Sequence, residues 1–140
     1  MNASTIFQLG SSIVLLGWLP LFFAPKWKYT QPFILNGLLV LFAIVYAYLL
    51  LSDIGDFKFD SFSTLQNVRA LFEKDNALAA GWLHYLAFDL FVGAYIVREI
   101  QRLQMPHWLA FIALPFTFMF GPMGYLIFII IKTIRKNAVD

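Results

Sequence analysis

Four stretches of this chain, Ile6 to Pro25, Pro32 to Leu51, Ala77 to Val97 and Trp108 to Ile131, are apolar and carry between them a single charged residue, Asp89. Each has about the 20 residues that, at 1.5 Å per residue, match a bilayer's hydrocarbon thickness of about 30 Å. No water is available at that depth to satisfy exposed backbone groups, so such runs are expected to be helices. The predicted fold class is therefore all-α: a polytopic four-transmembrane-helix bundle forming a single integral membrane domain over residues 1–140. Composition agrees, with 61% hydrophobic and 13% charged residues, against roughly 25% charged in an ordinary soluble domain.

The ten Lys and Arg residues cluster beside the apolar runs. That is the pattern of interfacial anchors, with no basic face for nucleic acid. The absence of cysteine excludes disulfides, thiolate metal sites and cysteine nucleophiles. The apolar run near the beginning of the chain outlasts a signal-peptide core and lacks a basic flank, so it reads as a retained first span. With no transit-peptide pattern, the simplest expectation is the inner membrane of a bacterial cell. Four spans would put both ends of the chain on the side of the long loop. That side would then carry six Lys and Arg (Lys58, Arg69, Lys74, Lys132, Arg135, Lys136) against four in the short turns, which leans towards cytoplasmic termini.

The turn APKWKYTQ mixes Trp27 and Tyr29 with lysines, as expected at headgroup level. Residues 52–78 form the one sizeable water-facing segment. Within it Leu65, Val68, Leu71 and Phe72 recur at helical spacing after Ser63, predicting a short amphipathic helix between spans two and three.

The third span holds the costly groups, His84 and Asp89 in GWLHYLAFDLFVG. An ionisable side chain inside a bilayer marks a function or a partner. Counted from the long-loop side, His84 is roughly 10 Å deep and Asp89 roughly 18 Å. Asp89 is expected to be a neutral carboxyl at pH 7, since no Lys or Arg lies within any span to hold the anion. Tyr46 and Tyr125 count to depths near His84, and Gly121 and Pro122 to the level of Asp89. In the fourth span Pro122 removes an amide donor, and the run FGPMG is expected to loosen the helix there. Five residues separate His84 from Asp89, or about 140° around the helix. Asp89 shares its face with Trp82, Tyr85 and Gly93; His84 sits with Gly81, Phe88 and Phe91. A two-residue metal chelate needs one common face, so no metal is expected. A bis-histidine haem fails on depth, because His84 and His107 differ by roughly 20 Å. No cofactor is predicted.

Trp82, His84, Asp89, Leu90 and Phe91, with Gly121, Pro122 and Gly124 and the segments Ala24-Pro25 and Tyr46 to Leu49, resemble the abscisic-acid-deficient-four-like membrane family. The likeness runs over essentially the whole chain. It implies a role around carotenoids, where the family's plant member is associated with the conversion of violaxanthin to neoxanthin. The expected function is then an isoprenoid- or carotenoid-related isomerase working by intramembrane acid and base chemistry. Asp89 and His84 are the candidate catalytic residues. Trp82, Tyr85, Phe88, Gly121 and Pro122 are the candidate substrate-binding residues. The rival expectation is a non-catalytic lipid-binding or accessory subunit in which His84 and Asp89 hold helices together. Membrane lipids and a carotenoid or isoprenoid ligand are the expected partners, without nucleic acid, and an oligomer is compatible with the pattern.

Overall fold

The structure is a computed structural model that describes residues 2–56 and 58–137; the side chains of Asp56, Lys136 and Asn137 also lie outside the described set. All its regular elements are helical. The first span consists of α1 (Ala3–Ile13) and α2 (Leu15–Phe23). Asn2 caps it, its side chain accepting from the Thr5 amide at 2.9 Å. Pro20 within α2 has no amide hydrogen for the Leu16 carbonyl, and the helix is interrupted at Val14, near the turn before that gap. The second span runs through α3 (Thr30–Pro32), a π-helical stretch at Phe33–Leu38 and α4 (Leu39–Ser52). Thr30 does not cap it; its hydroxyl donates across the turn to the Ala24 carbonyl at 2.7 Å.

In the long loop, α5 (Leu65–Phe72) forms where the apolar spacing placed it. Its cap is Thr64, accepting from the Asn67 amide at 3.1 Å. The third span is α6 (Asp75–Arg102), and every other long helix packs against it. Small residues make this possible. A Cβ at Gly10, Gly17 or Gly93 would overlap Leu83, Leu90 or Trp18 respectively, so these glycines are where the first span and α6 approach most closely.

The expected fourth span is corrected by the structure. Residues 108–131 do not cross in one piece but form α7 (Ala110–Met119) and α8 (Gly121–Asn137), reversing at Phe120, whose φ of −149° and ψ of 81° leave the helix. The direction follows from contacts. Asp89 meets Gly121, Tyr95 meets the rings of Tyr125 and Phe128 at 6.1 and 6.4 Å, and Glu99 accepts from Lys132 at 3.3 Å. Residue numbers rise together on both helices, so α8 runs parallel to α6 and returns to the side of the short turns. Gly124 lies against the backbone of Thr117, seven residues earlier, which no continuous helix allows. The physical cause is this glycine contact together with the donor lost at Pro122. Tyr125 consequently sits at the level of Tyr95 and not of His84, as depth counting had it. Three helices among the described residues, Ala3–Phe23, Thr30–Ser52 and Asp75–Arg102, are long and apolar enough to cross a membrane.

This geometry reverses the side expected for the last helix. Single cysteines at Lys28 and Arg135 are expected to react with an impermeant maleimide from one side of the membrane and a cysteine at Lys58 from the other. Joint labelling of 58 and 135 would mean that the hairpin opens into a full crossing.

Candidate functional site

The 140° between His84 and Asp89 sends them to different neighbours. His84 faces the second span. Its ring stacks on Phe88 at 4.6 Å and approaches Tyr46 at 5.9 Å between ring centres. These three side chains, with Leu39, Phe42, Ala43, Leu83, Ala87 and Phe91, line a groove of about 310 Å³ between α4 and α6. The groove is almost wholly apolar and open to the side. His84 itself is exposed there, and no hydrogen bond to its imidazole exists among the described residues. In hydrocarbon such a nitrogen lacks even water as a partner.

Asp89 is only 6% exposed and faces the reversal between α7 and α8. The Gly121 amide, first of α8, donates to its carboxyl, and the Tyr85 hydroxyl borders it. Gly121 is required by this approach, since a Cβ would overlap Asp89 Oδ1. The carboxyl therefore caps α8 from another helix, satisfying an amide that a helix start leaves without a partner. Tyr85 donates its own proton to the Met119 carbonyl, the last of α7. Asp89 Oδ2 is buried without a partner.

The remaining expected site residues divide between these places. Trp82 donates to Ser11 Oγ at 2.8 Å and stacks against Phe7 and Tyr85 at 5.0 and 5.2 Å, tying α6 to the first span. Phe88 belongs to the His84 groove, while Tyr85 and Gly121 belong to Asp89. Pro122 is exposed. The groove lined by His84 is not lined by Asp89, so the two residues expected to act together border no common chamber of those described. Tyr46 is the polar groove residue missing from the expected site. Its equal depth with His84 was the available signal. His107 lies at the short-turn side, its Nε2 3.2 Å from the Phe22 carbonyl, remote from His84 as depth counting required.

Comparison with known proteins adds one positive finding. No curated protein and no solved structure matches the chain. The family model described as ABA DEFICIENT 4-like matches residues 5–128 and so takes in the groove, the carboxyl and the reversal at Phe120. The chain is thus a membrane protein of the ABA DEFICIENT 4-like family.

Proposed function

We propose that the protein takes an isoprenoid or carotenoid-like lipid sideways from the bilayer into the groove between α4 and α6 and isomerises it there by acid and base chemistry. The observation that carries this reading is the unpartnered His84 imidazole in a lipid-open apolar groove, with the Tyr46 ring beside it. Membership of a family associated with carotenoid conversion supports the substrate class.

Opening an epoxide to an allenic alcohol balances without a redox partner. Tyr46 would give a proton to the oxygen as the carbon–oxygen bond breaks. The His84 imidazole would take one from carbon as the new double bond forms. Return of that proton from imidazolium to tyrosinate then restores both groups. Asp89 has a positioning role in this scheme, holding the start of α8 against α6. The non-catalytic reading is favoured for Asp89 by its bond from Gly121, and for His84 by nothing comparable.

Lipid extracted from the purified protein is the direct test. An oxygenated isoprenoid is expected to copurify with the wild-type chain. Its amount should fall several-fold in Tyr46→Phe and His84→Phe, which keep ring bulk and lose the polar contact. Equal recovery from all three proteins would show that the groove recognises hydrocarbon alone.

A further inference from the structure

A second groove lies on the other side of the second span, in the half of the membrane nearer the short turns. It is about 600 Å³ and is formed where the Pro20-containing α2 passes the π-helical stretch, with Leu16, Pro20, Trp27, Phe33, Asn36 and Gly37 among its walls. Two irregularities of the backbone, a glycine within one of them and one polar side chain converge there. Pro20 withholds a hydrogen from the Leu16 carbonyl, and Leu16 lines the groove. The π-helical stretch at Phe33–Leu38 widens the helix on the opposite wall, a departure that recurs at functional sites. Gly37 leaves that wall without a side chain, so a ligand can reach the backbone.

The side chain is Asn36. It is exposed and has no hydrogen-bond partner among the described residues. It lies roughly 9 Å into a helix that starts at Thr30. An amide there faces hydrocarbon with one acceptor and two donors unused, a costly arrangement without a partner. No Asp, Glu, Lys or Arg lines the groove around Asn36, and the cation at its rim, Lys28, has its Nζ over the Tyr29 ring, 4.8 Å from the ring centre. Trp27 and Tyr29, whose rings meet at 5.4 Å, stand at its rim, and the exposed Trp27 ring is suited to an apolar body.

We propose that this groove is a binding site for the hydroxyl-bearing end of a neutral membrane lipid, held by Asn36 and by the carbonyl that Pro20 leaves free. A hydroxyl supplies one donor and one acceptor, the complement of a free carbonyl and a carboxamide N–H. A second copy of the chain is a poorer occupant, because two concave surfaces related by a two-fold axis cannot fill one another. The site is separate from the His84 groove and does not depend on the isomerase reading.

The test uses the full chain in phosphatidylcholine nanodiscs and a long-chain primary alcohol carrying a diazirine close to its hydroxyl. Crosslinks are expected within residues 16–37, saturable, and displaced by excess stearyl alcohol but not by octadecane. Asn36→Leu should weaken the competition by about tenfold, the scale of one hydrogen bond formed away from water. Asn36→Gln, which keeps the amide, should retain most of it, and circular dichroism reports whether both variants keep their helices. Crosslinking that is unsaturable, equally displaced by octadecane, or unchanged in Asn36→Leu would overturn the proposal. So would a wild-type dimer that Asn36→Leu converts to monomer, since a second copy would then occupy the groove.

Discussion

Alanine at Gly124 is expected to destabilise the protein by about 3 kcal/mol, the upper end of overpacking costs. The added Cβ would fall onto the Thr117 amide nitrogen and Cα as well as its Oγ1. Backbone cannot rotate away as a side-chain tip can, and Thr117 is itself fully buried, its hydroxyl bonded to the Ala113 carbonyl at 2.9 Å. Gly81→Ala provides the contrast. There the new methyl group meets only the ring of Phe72, which is 38% exposed and has room to swing aside. Its cost should stay below about 1 kcal/mol. Unfolding by detergent titration, with helix content as the readout, compares the two. Similar midpoints would show that α7 and α8 do not pack as closely as described. A bulkier Gly124→Leu should go further and open the hairpin. The cysteine at Arg135 would then move to the side of Lys58, because the freed segment is long enough to cross.

The second large effect is catalytic and separates the two ionisable residues of α6. With an oxygenated isoprenoid substrate supplied, His84→Phe is expected to accumulate normally and to lose product formation by roughly 10²- to 10⁴-fold, the usual contribution of a general base. The phenylalanine fills the same place beside Phe88 and Tyr46. Asp89→Asn should retain most activity, because asparagine keeps the oxygen that accepts from Gly121 and serves as a helix cap about as well as aspartate. Asp89→Leu, lacking that acceptor, should lower stability by about 1 kcal/mol before it affects product. Should Asp89→Asn abolish product while accumulating normally, Asp89 is itself the proton donor and the assignment to Tyr46 is wrong.

The faces of α6 were legible in advance because a rigid helix turns a fixed angle per residue. Tyr85 at Asp89 and Phe88 and Phe91 at His84 follow from that arithmetic, whereas Gly93, counted onto the face of Asp89, packs on Trp18 of the first span, a neighbour that no angle per residue could name. Tyr46 was reached by depth alone, and its lateral nearness to His84 needed the packing of α4 on α6. The hairpin was not legible for a different reason. Residues 108–131 have the length and apolarity of a crossing, and Pro and Gly at 121–124 signal a break without giving its direction. What decides the direction is a contact across the reversal, Gly124 on Thr117, and a contact to a third helix, Asp89 on Gly121. Neither leaves a periodic trace. The π-helical stretch was equally silent, since Phe33 to Leu38 reads as ordinary helix.

The returning hairpin also redistributes charge between the two faces of the membrane. Lys132, Arg135 and Lys136 join Lys26, Lys28, Arg98 and Arg102 on the short-turn side, seven basic residues against Lys58, Arg69 and Lys74 on the other. The weak majority of a four-span reading becomes a clear one of opposite sense, from which the positive-inside rule predicts short turns on the cytoplasmic side. Each groove thereby acquires a leaflet. On that orientation the Asn36 groove would open to the cytoplasmic leaflet and the His84 groove to the outer one, so the two would draw on separate lipid pools that mix only as fast as molecules flip.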